Sequence, residues 1–457
     1  MGPMPASRLS ALDASFLEVE GPEAHMHVGW ASKHARPQEG RPCDFTALRD
    51  HIAGRLGRAP RWRQRLEGDP LDMADPVWVD DPDFDVDRHV LHATGADLGE
   101  VVDAVMSVPL ARGGPLWELW IADGLADGTI GLVGKAHHCM VDGIAAVEMA
   151  SMLLDPQPVP APDERDGAWS AHPAPGPVSL TAMALADSAR GGLALARGAA
   201  GLARSPRRAL AAPLAAARRA RSLAGALLPV AGDSPLNGPG SPLRHLACVR
   251  RPLDDLRAVK AAHQTTINDV VLAACAGALR RRAQRRGEAP APLKTMVPVN
   301  VRGEADGAAG NRISFLFIPL PCDVPDALGR LAAVHAQTAR RKADGEAAGT
   351  DAAVDALGLL PRPVRRVAAH AFASPRMFNL VVSNIPGPPG KLYLAGCELR
   401  EAYPVVPLAG DHALSIGMTT VQDQACFGLY ADAKALPDAD ALALDLEAEL
   451  DELLALA

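Results

Sequence analysis

The sequence predicts an α/β protein with two domains and a linker between them. The chain has 457 residues, about three to four times the length of a typical single domain. Apolar residues make up 48% of it and charged residues 22%, so there is enough apolar material for a large buried core. Short apolar runs alternate with helical patterns in two stretches, which a change of composition separates. We therefore expect an N-terminal domain at 1–155, a linker at 156–240 and a C-terminal domain at 241–457.

Charge and cysteine content exclude several classes of protein. The formal net charge is −8 and the isoelectric point is about 6.0, so the surface is not built to hold phosphate backbones and we expect no nucleic-acid partner. Seven cysteines without a C-x-x-C pair predict neither a disulfide framework nor a zinc cage, and they favour a reducing, cytoplasmic compartment. We expect no secretion signal and no membrane span, because charge or proline interrupts each apolar stretch before it reaches about 18 residues.

In the N-terminal domain, apolar runs and a helical run predict a mixture of strands and helices. Val77–Val79 and Thr129–Ala136 are consecutive apolar stretches typical of buried strands. Leu98–Met106 has a helical pattern. This alternation predicts a mixed α/β domain.

The linker is marked by its composition. Residues 156–177 are rich in proline, alanine and acidic residues, and residues 180–228 are rich in alanine and arginine. Between Thr181 and Gly225, eight arginines stand against one aspartate. A helix of this kind can lie on an anionic lipid surface, with its arginines at the headgroups. A solvated linking helix is the alternative, because alanine gives such a helix little apolar depth.

The C-terminal domain again alternates helix and strand. Thr265 and Thr266 followed by Asp269 form a helix start signal, and the helix continues to about Arg286. Its last turns carry five arginines, which suit the negative end of the helix dipole. Strands are predicted at Thr295–Val301, Ile313–Leu320, Asn379–Ser383 and Ala413–Thr420.

The chain closes with a leucine-periodic helix at Pro437–Ala457. It carries seven acidic residues and no basic one. These acids either pair with the arginines of the linker or face water. Two α/β domains joined by a long linker favour a functional site at their junction.

The most informative segment runs from Thr129 to Ile144. An apolar strand ends at His137 and His138, and after a short loop Asp142 and Gly143 open a helix that runs to about Leu154. Adjacent side chains of an extended segment point to opposite faces, so only one of the two histidines can be a working base. Two neighbouring histidines and one carboxylate have neither the number nor the spacing of ligands that a metal needs, and we expect no metal.

Each residue of this segment also has a purely structural interpretation. Cys139 lies in the loop, where a histidine could activate it as a nucleophile, but cysteine is also among the commonest small buried residues. Asp142 could simply cap the following helix. The histidines could be buried at a strand end without any catalytic role.

The segment matches H-H-x-x-x-D-G, the active-site motif of the coenzyme A-dependent acyltransferase superfamily. Within that superfamily, the chain resembles the bacterial wax ester synthase/diacylglycerol acyltransferases from residue 9 to about 432. The matching motifs are Leu12-Asp13-Ala14-Ser15-Phe16 with Glu18 and Glu20, Met26-His27-Val28-Gly29, Pro115-Leu116-Trp117, Asn268-Asp269, Pro298-Val299-Asn300-Val301-Arg302, Gly310-Asn311-Arg312 and Ser383-Asn384-Ile385-Pro386-Gly387-Pro388.

The resemblance implies a fold and an activity. The fold is two chloramphenicol-acetyltransferase-like α/β sandwich domains, with a tunnel and the active site at their interface. Members of the family transfer a long-chain acyl group from acyl-coenzyme A to diacylglycerol or to a long-chain alcohol. Acyl-coenzyme A is then a co-substrate, and no bound cofactor is expected. The chain has no G-x-S-x-G elbow, and we expect direct attack without a covalent intermediate.

The resemblance also implies residue roles. His138 is the general base, His137 a supporting residue, and Asp142 braces the loop, with Arg302 as its candidate partner. Gly143 leaves room for the backbone to approach the substrate. Asn268 and Asp269, in the first turn of their helix, are also grouped with the catalytic residues. Asn268 is a candidate oxyanion donor or substrate contact, because its amide lies at the positive end of the helix dipole. The residues treated as substrate-pocket walls are Pro115, Leu116, Trp117, Ser383, Asn384, Pro386 and Gly387.

Two other functions remain open. A condensation enzyme could share the histidine motif and take its acyl group from a carrier protein, although Pro115-Leu116-Trp117 and Asn268-Asp269 argue against it. A non-catalytic protein could use the fold to bind lipid surfaces, although an intact His138 argues against that. For the acyltransferase we expect peripheral attachment to a membrane or lipid inclusion, because its products are insoluble. The preferred acceptor and the oligomeric state cannot be predicted from the sequence.

Overall fold

The structure is a computed structural model that describes residues 7–37, 42–141, 149–150, 152–159, 169–204, 230–300, 313–343, 362–387 and 390–457. Within these ranges, two six-stranded sheets and one three-stranded sheet carry packed helices. The strands are β1 (Ser7–Arg8), β2 (His27–Ala35), β3 (Gln64–Glu67), β4 (Val77–Asp80), β5 (Val90–His92), β6 (Trp117–Ala122), β7 (Ile130–His137), β8 (Arg244–Pro252), β9 (Leu293–Asn300), β10 (Ile313–Leu320), β11 (Leu380–Ile385), β12 (Tyr393–Leu394), β13 (Cys397–Val405), β14 (Leu414–Val421) and β15 (Gln424–Asp432). The helices are α1 (Ala11–Glu18), α2 (Phe45–Ala53), α3 (Leu98–Met106), α4 (Pro177–Arg204), α5 (Leu253–His263), α6 (Ile267–Arg285), α7 (Ala327–Ala343), α8 (Arg362–Phe372) and α9 (Ala439–Ala455).

The local sequence patterns predicted most of these elements correctly. Helix α3 has the predicted bounds, as does strand β10. Strand β7 and helix α6 begin and end within one residue of the predicted positions. At the start of α6, Thr266 and Asp269 form the predicted reciprocal cap, with each side chain accepting the other residue's backbone N–H.

The first large sheet has the strand order β12-β13-β2-β7-β6-β5. Strand β7 therefore lies inside the sheet, where all eight of its residues are buried. Its antiparallel neighbours place His27 opposite His137 and Trp117 opposite Ala136. The end of this central strand is the place where the histidine motif begins.

Strands β12 and β13 belong to this first sheet although they lie late in the chain. Strand β13 pairs antiparallel with β2 and forms the only described link between β2 and the edge strand β12. It also packs on β14 and β15 of the second sheet. A Cβ atom at Gly428 would lie 2.3 Å from the carbonyl oxygen of Pro404, so glycine is required where β15 approaches β13. The predicted domain ranges do not include this exchange of a strand.

The second large sheet has the order β10-β9-β11-β14-β15-β8 and supports the main core of the molecule. Helix α6 is buried from Asp269 to Leu279 and packs against α9. A Cβ atom at Gly277 would lie 2.0 Å from the carboxyl carbon of Glu449. Glycine at this position therefore allows the two helices to approach each other.

Four acidic residues between Asp438 and Glu452, in α9 and at its N-terminal cap, pair with the arginines at the end of α6. Arg282 Nη2 lies 3.0 Å from Asp438 Oδ1, and Arg281 Nε lies 3.3 Å from Glu449 Oε2. Glu449 also pairs with the buried Arg330 of α7. Neither sequence-based alternative for this helix, pairing with the linker or facing water, named these partners; the described contacts of Asp438 and Glu449 are to arginines of α6 and α7.

Helix α4 is the described part of the arginine-rich linker. Its first turns are held to the small sheet, where Leu180 packs with Val77 and Val79 of β4. Leu185, by contrast, is 53% exposed. The predicted linker at 205–229, which holds five of its eight arginines, lies outside the described residues.

Cys43 and Cys397 form a disulfide between the segment before α2 and strand β13. Both cysteines are buried. The expectation of a reducing compartment does not predict this bond. None of the described helices is long and apolar enough to cross a membrane.

Candidate active site

Strand β7 ends at the two histidines, and a single 3₁₀ turn, His138–Met140, follows. The backbone N–H of His137 donates to the carbonyl of Leu116 over 2.9 Å, and that of His138 donates to the carbonyl of Met26 over 2.9 Å. Both neighbouring segments thus fix the backbone of the motif. The backbone that carries the two imidazoles is therefore held in place, which is what a site that positions a reacting group requires.

His137 is buried, with 1% of its surface exposed. Its Nδ1 accepts a hydrogen bond from the backbone N–H of Cys139 over 3.2 Å, which assigns the proton of the neutral ring to Nε2. Nε2 lies 3.8 Å from Glu20 Oε2, and Glu20 itself pairs with Arg112. Burial, with the positive charge of Arg112 as the second cause, lowers the pKa of His137 to about 3. This histidine is a neutral ring that holds the turn.

His138 is only partly buried, and it stacks on Phe16 of α1. The two ring centroids are 3.8 Å apart and the planes differ by 18°. Burial lowers the pKa of His138 to about 4. The polar backbone of His138 itself acts in the opposite direction and raises the pKa. The ring nitrogen Nδ1 has no hydrogen-bond partner among the described residues. The ring is therefore neutral at pH 7, which is the state that can accept a proton.

Cys139 packs in the turn, and 3% of its surface is exposed. Burial raises the pKa of its thiol, against the weaker opposite influence of Arg112. A protonated thiol is a poor nucleophile. The surroundings of Cys139 therefore support the packing interpretation over the nucleophilic one.

Several motif residues lie outside the described part of the chain. These are Asp142 and Gly143, Val301 and the candidate partner Arg302, the segment 310–312 and Pro388. The predicted helix after Asp142 is described only at 149–150 and 152–153, which are helical. The roles assigned to these residues remain predictions.

The structure gives Pro115, Leu116 and Trp117 packing roles. Trp117 has no exposed surface; its indole N–H donates to the carbonyl of Trp62 over 2.7 Å, and its ring stacks on His89 at 4.7 Å. The carbonyl of Leu116 receives the N–H of His137. Leu116 and Trp117 support strand β7 from the neighbouring strand β6 and the residue before it. The role of these residues as pocket walls stays a prediction.

Asn268 and Asp269 share the first turn of α6 but have different surroundings. Asp269 is 1% exposed and accepts hydrogen bonds from Thr338 Oγ1 at 2.6 Å and from the Thr266 N–H at 3.0 Å. His335 Nδ1 lies 2.9 Å from the same carboxylate. Asp269 is thus fully engaged in fixing the helix, whereas Asn268 is partly exposed. No described hydrogen bond, ion pair or ring contact joins Asn268 to His138.

The predicted loop after β11 is held tightly against β14. Ser383 and Asn384 lie on β11, which pairs parallel with β14. The N–H of Gly387 donates to Thr420 Oγ1 over 3.1 Å, and a Cβ atom at Gly387 would lie 1.6 Å from the Thr420 carbonyl oxygen. Glycine is therefore obligatory there, while Pro386 is exposed. The described contacts do not connect this loop with His138.

Sequence reasoning assigned no role to two residues that contact the histidines. Phe16 and Glu20 were recognised only as parts of family motifs, and the structure places one against the His138 ring and the other near His137 Nε2. Phe16 lies in α1 and Glu20 just after its end, and no local pattern in the sequence identifies contacts with histidines more than a hundred residues away.

The comparison with known proteins agrees with the geometry. The family profile described as the wax ester synthase/diacylglycerol acyltransferase catalytic domain matches residues 9–271, and the profile of the C-terminal domain of the same family matches residues 309–454. A putative diacylglycerol O-acyltransferase of Mycobacterium bovis and a probable one of Mycobacterium tuberculosis are each 34% identical to the chain, over 98% of this chain and 96% of each relative.

Solved structures extend the comparison to the fold. The wax ester synthase/diacylglycerol acyltransferase from Marinobacter aquaeolei VT8 matches with a TM-score of 0.69 and 27% identity, covering 98% of both chains. The first condensation domain of the calcium-dependent antibiotic synthetase matches with a TM-score of 0.60 at 14% identity, covering 99% of this chain and 96% of that one, and shares the fold alone. The predicted pair of chloramphenicol-acetyltransferase-like domains is confirmed. The chain is an acyltransferase and belongs to the wax ester synthase/diacylglycerol acyltransferase family.

Proposed function

We propose that this chain transfers a long-chain acyl group from acyl-coenzyme A to the hydroxyl of diacylglycerol or of a long-chain alcohol, with His138 as general base. The observation that carries the proposal is the state of the His138 ring. It is neutral, partly accessible and held against Phe16 at the end of a central strand. A positioned neutral imidazole is the group that such a transfer needs.

The chemistry requires one base and no covalent intermediate. An alcohol is too weak an acid to ionise at neutral pH, so its proton moves to His138 as the oxygen attacks the thioester carbon. The carbon–sulfur bond then breaks, and coenzyme A departs as a thiol, comparable in acidity to cysteine with a pKa near 8.5. The imidazolium returns its proton to the sulfur, so the enzyme ends the cycle unchanged.

Other residues support this step. His137 holds the turn through the N–H of Cys139, and we assign it a positioning role. Asn268 is the proposed donor to the oxyanion of the tetrahedral intermediate, because its amide lies in the first turn of α6 where the helix dipole is positive. Asp142 and Gly143 complete the proposed loop around the base.

The partners follow from the substrates. Diacylglycerol, fatty alcohols and their esters are insoluble, so the enzyme must meet its acceptor at a lipid surface. We propose a cytoplasmic protein that attaches peripherally to a membrane or lipid inclusion. Both acceptors present a hydroxyl group to His138. The choice between them depends on the shape of the channel that would hold the acceptor's hydrocarbon chains.

The test is the release of coenzyme A thiol from palmitoyl-coenzyme A by the purified chain. We expect release to depend on added hexadecanol or dioleoylglycerol, with the ester detected by chromatography. The control omits the acceptor and measures hydrolysis alone. Absence of acceptor-dependent release with either alcohol would contradict the proposal. If the chain were then active with an acyl carrier protein as donor, the condensation-enzyme alternative would apply.

A further inference from the structure

Met26 directly precedes strand β2, and its backbone has a φ of 49°, in the left-handed region. Residues with a side chain adopt this conformation rarely, because Cβ comes too close to a neighbouring carbonyl oxygen. Five other described residues that are not glycine share it, and each is exposed or lies in a turn between two strands. They are Asp72, Gln264, Ala395, Asp411 and Gln422. Met26, by contrast, is only 6% exposed. Strained backbone persists where the surroundings hold it, and it clusters at functional sites.

A tight turn and a buried arginine hold the chain ahead of Met26. The N–H of Gly21 donates to the carbonyl of Ala24 over 3.0 Å, and the N–H of Ala24 donates back to the carbonyl of Gly21 over 3.1 Å. Arg244 of β8 donates through Nη2 to the carbonyl of Glu23, and this arginine is 4% exposed. The second sheet therefore helps to fix the segment from which the chain enters Met26.

Strand β2 holds the chain beyond Met26. His27 lies opposite His137 in the antiparallel pairing of β2 with β7. Its Nε2 also accepts the N–H of Leu110 over 3.3 Å, and the side chain is buried. The segments on both sides of Met26 are thus fixed, and its left-handed backbone is the conformation that joins them.

The carbonyl oxygen of Met26 accepts the N–H of His138 over 2.9 Å. This bond extends the contact between β2 and β7 by one residue, because the paired residues of the two strands end at His27 and His137. Each peptide unit is planar, so the two dihedral angles of Met26 decide where its oxygen points. A negative φ would redirect the chain between two fixed segments and move the oxygen away from His138.

We propose that Met26 is a positioning residue for the base, and that its left-handed backbone directs its carbonyl oxygen at the N–H of His138. Phe16 holds the ring of His138, whereas Met26 holds its backbone. The proposal rests on the proposed function, in which His138 takes the proton of the acceptor. Displacement of a base slows the chemical step and leaves the binding of the substrate largely unchanged.

The first test compares Met26→Leu with Met26→Ile. The two replacements contain the same atoms, but isoleucine branches at Cβ and tolerates a positive φ less well. We expect the kcat of Met26→Ile to be about tenfold below that of Met26→Leu, with similar KM. Thiol release from palmitoyl-coenzyme A with hexadecanol measures both, and thermal melting checks that each variant is folded. Equal kcat in the two variants would mean that Met26 only fills space, which overturns the proposal.

A second pair of variants decides the question if the isoleucine variant does not fold. Met26→Gly and Met26→Ala both remove most of the side chain, but glycine adopts a positive φ freely. We expect Met26→Gly to have the higher kcat and the higher melting temperature. At a position with an ordinary backbone, alanine is the more stable of the two. Equal or higher values for Met26→Ala would therefore overturn the proposal.

Amide hydrogen exchange of the full chain measures the contact without turnover. The N–H of His138 should exchange faster in Met26→Ile than in Met26→Leu, and faster in Met26→Ala than in Met26→Gly, because its acceptor has moved. Equal exchange within both pairs would overturn the role of the Met26 carbonyl. A wild type that is inactive with every acceptor would contradict the proposed function, and exchange at His138 would still decide the role of Met26.

Discussion

Two regions of the molecule hold histidines in opposite charge states. At the end of β7, burial without a carboxylate in hydrogen-bond distance lowers the pKa of His137 to about 3 and of His138 to about 4. At the junction of the domains, His245 of β8 lies between two carboxylates. The same side chain is therefore a neutral ring in one region and a cation in the other, and the surroundings alone decide which.

The His245 region joins parts of the chain that are far apart in sequence. Its Nδ1 lies 2.6 Å from Asp103 Oδ2 of α3, and its Nε2 lies 3.1 Å from Asp440 Oδ1 of α9. The hydrogen bond that the His245 ring donates to the Asp103 carboxylate is the largest cause that raises the pKa of His245 to about 9, and burial opposes it. These groups line a cleft of about 390 Å³ between the domains. The charge of His245 joins two carboxylates of distant helices, whereas the neutral state of His138 is the one that the proposed general base requires.

The largest effect is expected from removing the neutral ring. His138→Ala should lower kcat by about 10² to 10⁴, the usual contribution of a positioned general base, while far-UV circular dichroism and the melting temperature remain near those of wild type. Thiol release from palmitoyl-coenzyme A with hexadecanol measures the loss. A variant with a third or more of wild-type turnover would remove His138 from the role of base.

Phe16→Ala tests what keeps that ring neutral. Loss of the stacked ring admits water, so the pKa of His138 should rise from about 4 toward 6.5. Turnover at pH 7 should fall roughly tenfold or less, because a stacked aromatic pair contributes about 1 kcal/mol. The measurement is kcat/KM from pH 4 to pH 8.

In that pH profile the wild type should lose activity only in acid, as pH falls toward about 4, because protonated His138 cannot accept a proton. Phe16→Tyr, which keeps the ring, is the matched control and should retain the wild-type profile. An unchanged profile in Phe16→Ala would show that Phe16 does not position or shield the base.

His245→Ala tests the charged region and should affect stability instead of chemistry. The folded-state pKa of His245 is raised to about 9 from 6.5, so its contribution is fully present below pH 6.5 and is lost as pH rises through 9. We expect the variant to be less stable by about 1 to 2 kcal/mol at pH 7 and to approach the wild type above pH 9. Urea unfolding at pH 7 and pH 10 measures this. A difference that does not shrink with pH would mean that His245 contributes packing only.

The smallest effect is expected for Cys139→Ser. Burial raises the pKa of this thiol, and a protonated thiol has no nucleophilic role to lose. Turnover should remain within about twofold of wild type, with a small loss of stability from burying a hydroxyl. A folded but inactive variant would instead make Cys139 the nucleophile.

Local patterns in the sequence predicted the elements near the site better than the contacts between them. The apolar run before His137 and the cap at Thr266 each act within a few residues, so β7 and the start of α6 could be predicted. The partner of β2 could not be predicted, because a strand's periodicity says which residues are buried but not which strand lies beside it. The pairing of Glu449 with arginines of α6 and α7 was missed because helical periodicity indicates a buried face but not which helix packs against it.

Within the site, the motif indicated the histidines but not what surrounds them. Asp269 was grouped with the catalytic residues. Its carboxylate caps α6 and also contacts Thr338 and His335 of α7, and the contacts with α7 become evident only in the structure. Phe16 and His138 are more than a hundred residues apart, and only the packing of α1 on the turn after β7 brings their rings together. Spacing along a chain carries no information about such contacts.

The placement of β13 has a consequence for how the polypeptide is made. Until residue 405 has emerged during synthesis, β2 presents a row of unpaired backbone groups, since its outer neighbour has not yet been added. The lobe that bears His138 thus completes its sheet after nearly nine-tenths of the chain has been translated. A fragment that ends at the linker would leave β2 as an exposed edge strand, which can pair with other chains and aggregate. The N-terminal lobe therefore needs β13, either from the same chain or from a second fragment that assembles with it.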